Sequence, residues 1–237
     1  MEIPKSLLDH EINWRDFPQH TSLQREAVHV FKINIQEYDR QYSSCYGDLI
    51  THQEFQKATE FRNQNDAKRY LASKFVSKNI LAHFVSTPAS EIVFKQAANK
   101  KPYIDEIEFN ISHSANYLLI AVSSVEVGID IELVKPDFNI ELLLEHCFDQ
   151  LERTFINRQS SKAHGFYYAW TRKEAILKAT GEGLTDHLNE LNCLTNQMIR
   201  NGSTYRLQTA ILDKNYVWTL ATSNPFFKTF YWNYNLK

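Results

Sequence analysis

At 237 residues, with 43% hydrophobic and 23% charged side chains, the chain is long enough for one large or two small domains around a substantial core. The formal net charge of −2 gives no general attraction to nucleic acid or anionic membrane, and only 6 Gly and 6 Pro argue against long disordered linkers. Three widely separated cysteines, Cys45, Cys147 and Cys193, form no CxxC pair and exclude a disulfide framework or zinc knuckle.

The N-terminus is polar within a few residues, with no apolar stretch for a signal peptide or membrane span, so a cytoplasmic protein is expected. The first strand falls over His29 to Ile35, where Phe31, Ile33 and Ile35 alternate with polar residues. Phe55 to Phe84 reads as helix in two pieces, the second running from Ala67 behind an Asp66 cap and stopped by Thr87-Pro88. Short strands are expected over Ile92 to Phe94, Phe109 to Ser112, Tyr117 to Ser123 and Val127 to Val134, the last stopped by Pro136. Helices follow over Ile140 to Gln159 and Ala163 to Thr180, the latter closed by Gly181. Strands over Tyr205 to Leu212, Tyr216 to Thr222 and Phe226 to Tyr234 complete the chain. Helices and strands are clustered rather than alternating, which predicts an α+β fold, with a boundary near residue 126 dividing it into residues 1–126 and 127–237.

Chemistry concentrates in two segments. In Gly128-Ile129-Asp130-Ile131-Glu132 the two acids lie two residues apart, so a strand points both to one face. Two such acids repel unless a cation sits between them, although acids on an exposed edge strand also serve to block aggregation. In Trp170 to Lys178, Glu174 and Lys178 lie one helical turn apart, off an apolar arc of Phe166, Ala169, Trp170, Ile176 and Leu177, beside Tyr167 and Thr171. By itself that pair is a weak signal, since Glu-to-Lys surface ion pairs one turn apart are common. Lys173 falls inside the apolar arc and is expected to snorkel or to pair with a carboxylate. An acid-bearing strand beside an acid- and lysine-bearing helix makes a hard-cation site next to a positive charge, suited to a phosphate ester or pyrophosphate.

Two further clusters could hold anions. His113, in Asn110-Ile111-Ser112-His113-Ser114, stands where a strand meets a Ser-rich turn. Lys68, Arg69, Lys74, Lys78, Lys95, Lys100 and Lys101 form a basic run, within which Lys74 and Lys78 are one turn apart and could share a phosphate. There is no Walker motif, no GxGxxG and no HExxH.

Taken in order, these motifs resemble the 4′-phosphopantetheinyl transferases, in particular the larger monomeric type that activates nonribosomal peptide synthetases. The resemblance runs from about Asp66 to Leu184 and includes Lys101-Pro102-Tyr103, the Asn110 to Ser114 run, the Gly128 to Glu132 run, Phe148 to Glu152, and Trp170 to Gly183. It implies two similar α+β subdomains related by a pseudo-two-fold axis, with coenzyme A in the cleft between them. It also implies Mg²⁺-dependent transfer of 4′-phosphopantetheine from coenzyme A to a serine of an apo acyl or peptidyl carrier protein, releasing 3′,5′-ADP. By position, Asp130, Glu132 and Glu174 match the metal ligands and Lys178 the lysine beside the pyrophosphate. His113 matches the 3′-phosphate histidine, and Ser112 and Lys101 match nucleotide contacts. Lys74 and Lys78 stand where the family's helix usually carries arginines. Glu174 is then the expected base for the serine hydroxyl, and Asp130 and Lys178 complete the catalytic set. The other readings are a catalytically inactive homologue that binds coenzyme A or a carrier, and a metal-dependent nuclease built on Asp130, Glu132 and Lys135.

Overall fold

The computed structural model describes residues 12–18, 26–96, 101–183 and 187–235. In chain order its elements are β1 (Arg15–Asp16), β2 (Ala27–Asn34), α1 (Ile35–Tyr42), α2 (His52–Thr59), α3 (Gln64–Leu81), β3 (Lys95–Gln96), β4 (Pro102–Tyr103), β5 (Glu108–Ser114), β6 (Tyr117–Ser123) and β7 (Val127–Leu133). These are followed by α4 (Glu141–Cys147), α5 (Gln150–Asn157), α6 (Lys162–Thr180), β8 (Gln197–Arg200), β9 (Ser203–Leu212), β10 (Tyr216–Thr222) and β11 (Lys228–Asn233).

The chain folds into two similar α+β halves. In the first, β2 pairs antiparallel with β6, and β6 with β5. In the second, β7 pairs antiparallel with β10, and β10 with β9. In each half a long helix, α3 or α6, lies between the first strand and the penultimate one of these three. The sheet orders are β1-β11-β2-β6-β5 and β7-β10-β9-β8. One face of the first sheet carries Phe31, Ile33 and Ile120 into a core with Phe75, Val76 and Ile80 of α3. The alternate residues Val28, Val30, Leu119 and Ala121 share a second core with Ile129, Ile131, Trp218 and Leu220. Strand alternation thus lets one sheet bury both faces, one against its own helix and one against the other half.

Several expectations are revised. The single helix expected over 140–159 is two: Phe148 is extended, and Asp149 opens α5 with a capping box, its carboxylate accepting the Glu152 amide at 2.8 Å. Helix α3 is capped by Asn63, whose side chain accepts from the Asn65 amide at 2.8 Å, while Asp66 pairs with Arg69 instead. Residues 92–94 are irregular, and the short strand lies at 95–96. The last strand, β11, leaves the second half and runs parallel to β2 in the first sheet, so residues 127–237 are not one spatial unit. Helix α6 buries Tyr167 and Thr171 as well as Phe166, Ala169, Ile176 and Leu177 of its apolar arc, with Trp170 half-buried, because it is wedged against β7, β10 and α5. Among the described residues no helix is long and apolar enough to cross a membrane.

Candidate active site

The seam between the halves is where β5, the edge of one sheet, meets β7, the edge of the other. They are not joined by main-chain pairing. Asn110, Ser112 and Ser114, at every second position of β5, reach across to the free amides of β7. Asn110 Oδ1 accepts from Ile129 N–H at 2.9 Å, Ser112 Oγ from Ile131 N–H at 3.3 Å, and Ser114 Oγ from Leu133 N–H at 3.0 Å. The same hydroxyls donate to the acids: Ser112 to Asp130 Oδ1 at 2.9 Å and Ser114 to Glu132 Oε2 at 2.9 Å.

Helix α6 supplies the remaining groups. Its approach to β7 is set by Gly128, where an added Cβ would lie 2.1 Å from the Ala175 carbonyl oxygen and 2.4 Å from the Ala179 amide nitrogen. Lys178 Nζ lies 2.6 Å from Asp130 Oδ1 and 3.1 Å from Ser112 Oγ. Gly181 ends the helix in the left-handed region at φ 72°, as its placement after the last apolar residue implies. Ser112 directs its one proton to Asp130 and both lone pairs to Ile131 and Lys178, so it stands within the acid cluster.

Burial, and next the Asp130 charge, push the Glu174 carboxyl up to about 7, against a smaller opposing pull from Lys178. Burial, then Asp130, also raises Glu132. Asp130 Oδ2 is buried without a hydrogen-bond partner. Three oxygen-donor carboxylates, two of them disfavoured as anions and one with an orphaned oxygen, fit a hard divalent cation. Among the described residues no three His, Cys, Asp or Glu side chains already stand in a metal-holding array; the Lys178 ammonium occupies Asp130 instead.

His113 lies on the other face of β5 from the serines. Its ring reaches solvent, yet surrounding protein, then the Arg69 charge, hold it below its ordinary pKa. Arg69, on α3, also donates to the Ala115 carbonyl at 3.5 Å. Arg69 is the functional candidate to which the sequence reading gave no role of its own. Its signal was a lone guanidinium, a planar phosphate-binding fork, between lysines at the start of the basic helix. Lys101 Nζ is 3.6 Å from Glu108 Oε2, beside β4.

Lys74 and Lys78 both line a cavity of about 340 Å³ with Glu54, Tyr70 and Phe94, but in different states. Lys74 Nζ lies 4.5 Å from the Phe94 ring centroid, its pKa lowered by burial. Lys78 is buried and neutralised, donating to Glu54 at 2.9 Å and to the Leu49 carbonyl at 2.9 Å. The expectation that the two lysines share one phosphate therefore does not hold for Lys78, whose charge is spent inside the protein.

Lys173 finds the carboxylate expected for it. Its Nζ lies 2.7 Å from Glu152 Oε2, both side chains being essentially inaccessible, and it donates to the Leu188 carbonyl at 2.8 Å. Glu152 also accepts the Cys193 amide at 3.1 Å, tying α5, α6 and the segment before β8 together one residue from Glu174. Truncating one member strands a buried charge, so Glu152→Ala is expected to cost roughly 3–5 kcal/mol in urea unfolding. Lys173→Met with Glu152→Leu should recover much of that loss; full additivity would deny the pairing.

The fold and the seam of acids and lysine define a class of enzyme, which two family models name. Residues 126–223 match the 4′-phosphopantetheinyl transferase superfamily, and residues 38–125 match the N-terminal part of a 4′-phosphopantetheinyl transferase. The chain belongs to this family. It is 26% identical over 243 residues to 4′-phosphopantetheinyl transferase HetI of Nostoc, covering 96% of this chain and 100% of the relative. It is 28% identical over 213 residues to 4′-phosphopantetheinyl transferase psf-1 of Bacillus pumilus, covering 83% and 90%. A third relative, 4′-phosphopantetheinyl transferase gsp of Aneurinibacillus migulanus, is 30% identical over 156 residues, 65% of each chain.

Proposed function

We propose that the protein, acting as a monomer with Mg²⁺, transfers the 4′-phosphopantetheine group of coenzyme A to a serine hydroxyl of an apo acyl or peptidyl carrier protein and releases 3′,5′-ADP. The observation that carries this reading is the meeting of Asp130, Glu132 and Lys178 at the seam, with Glu174 close enough to feel both acids. Asp130, Glu132 and Glu174 would hold the Mg²⁺, which when bound supplies Lewis-acid charge to a diphosphate. Lys178, already fixed on Asp130 and Ser112, sets a point positive charge where the leaving phosphate gains negative charge. Glu174 takes the proton from the carrier serine as its oxygen attacks the β-phosphate of coenzyme A. His113 and Arg69 form an anion-binding pair on the outer face of β5, suited to the 3′-phosphate, and Lys101 and Lys74 are further candidates for coenzyme A contacts. The cluster's ammonium is Lys178 of α6 and not Lys135, which is exposed beyond the end of β7; this disfavours the nuclease alternative.

Intact-mass analysis of a small panel of apo carriers, incubated with coenzyme A and Mg²⁺, is expected to show the mass gain of one phosphopantetheine on at least one carrier. No gain on any carrier, with coenzyme A bound tightly, would favour the inactive homologue.

A second expectation concerns protons. With its carboxyl near 7, Glu174 is about half protonated at neutral pH in the metal-free protein. Mg²⁺ binding must displace that proton, so proton release should grow as pH falls below 7 and fade well above it. Calorimetry of metal binding in two buffers of different ionisation enthalpy reads this directly. Release that does not change between pH 6 and pH 8.5 would remove Glu174 from the ligand set.

A further inference from the structure

We infer that Ser114 is a positioning residue for Glu132, and that the two serine rungs of the side-chain ladder from β5 place the acids of the site. The inference rests on the reading above that these acids hold a divalent cation. The ladder has three rungs, but only two of them reach a carboxylate. Ser112 accepts the amide of Ile131 and donates to Asp130; Ser114 accepts the amide of Leu133 and donates to Glu132. In each case one hydroxyl grips the acid and the amide of the next residue. A hydroxyl has a single proton, so accepting the backbone amide commits that proton to the carboxylate. Asp130 is short and is held a second time by Lys178. Glu132 is longer and only partly buried, and among the described residues Ser114 makes its one side-chain hydrogen bond. Without that bond its extra rotatable bond is free, and the carboxylate must be ordered again each time a cation binds.

Asn110 provides the control. It makes the third rung, to Ile129 N–H, and Ile129 is not an acid. Asn110→Ala therefore tests what losing a rung does to the seam, and Ser114→Ala what losing the grip on Glu132 does. The probe is Mn²⁺ alone, titrated into the full-length protein and followed by electron paramagnetic resonance, with thermal unfolding run in parallel. Ser114→Ala is expected to weaken Mn²⁺ binding about 10- to 100-fold, the range for groups that orient metal ligands. Ser114→Thr, which keeps the hydroxyl, should stay within about threefold of the unaltered protein. Asn110→Ala should lower the unfolding temperature and leave Mn²⁺ affinity unchanged. In turnover, Ser114→Ala should raise the Mg²⁺ concentration for half-maximal rate more than it lowers kcat. Equal Mn²⁺ affinity in Ser114→Ala and the unaltered protein would overturn the inference while leaving the metal site standing. Equal losses in Ser114→Ala and Asn110→Ala would also overturn it, since any rung would then do. If the unaltered protein binds no Mn²⁺, the metal reading itself fails and the inference falls with it.

Discussion

Glu174→Gln is expected to lower kcat by at least roughly 100-fold and, in the same protein, to raise the thermal midpoint of the metal-free form above pH 7. Both effects come from one group. Glutamine keeps the shape but can neither take the serine proton nor give a cation a full negative charge. On the stability side, Glu174 has its carboxyl raised from 4.5 to about 7 on folding, by burial first and then by Asp130. Between those values the unfolded chain has released its proton and the folded chain has not, so the folded state loses stability as pH rises through that window. The penalty is complete above about pH 7. Glutamine does not ionise and escapes it. The bound on the gain is roughly 3 kcal/mol, at about 1.4 kcal/mol per pH unit, and partial exposure reduces it to about 1–2 kcal/mol. Urea unfolding at pH 5 and pH 8, without divalent metal, tests the sign: the variant's advantage over the unaltered protein should be small at pH 5 and clearly larger at pH 8. A variant less stable at pH 8 would mean that Glu174 supports the fold, and its lost turnover would say nothing of catalysis.

The second large effect is expected at Gly128. An alanine there places its Cβ 2.1 Å from the carbonyl oxygen of Ala175, 2.4 Å from the amide nitrogen of Ala179 and 3.0 Å from the Ala179 Cα. All three are backbone atoms of α6, so no side chain can swing aside. Either α6 or β7 must move, and these are the elements that hold Glu174 and Lys178 against Asp130 and Glu132. Overpacking of this kind costs roughly 1–3 kcal/mol, and more where the neighbour is rigid backbone. Gly128→Ala should therefore lose about 3 kcal/mol and more than 100-fold in kcat, the latter because shifts of about 1 Å misalign reacting groups. Unfolding temperature and turnover, measured together, check it. Near-normal turnover would show that the close approach of α6 does not set the geometry of the site.

Much of this was legible from local pattern. The strands at 117–123 and 216–222 were placed to the residue, because apolar and β-branched runs between turns read as strand whatever surrounds them. The helix bearing Glu174 and Lys178, and its glycine stop, were equally clear. Lys173 showed itself as a charge on an apolar face, and its partner Glu152 confirms that such misfits mark buried pairs. What escaped was non-local. Nothing in the residues of β11 says that it pairs with β2 and not with its neighbours in sequence. The break at Phe148 was hidden because apolar spacing continues across two helices that meet end to end. The bonds of Ser112 to Asp130 and Ile131 are not legible in the sequence, because they depend on β7 lying within hydroxyl reach, a fact of sheet packing. Lys78 looked like a phosphate ligand because Glu54, which neutralises it, stands far behind it on another helix. The halves share a strand order without an evident sequence repeat, since topology needs only alternation and turns, which many side chains satisfy.

The most direct measurement is anomalous diffraction from crystals of the protein grown with coenzyme A and Mn²⁺. One strong peak is expected, within coordination distance of Asp130, Glu132 and Glu174 and touching the coenzyme A diphosphate, with Lys178 on the same phosphates. A diphosphate bound elsewhere, or a metal peak away from the seam between β5 and β7, would contradict the account.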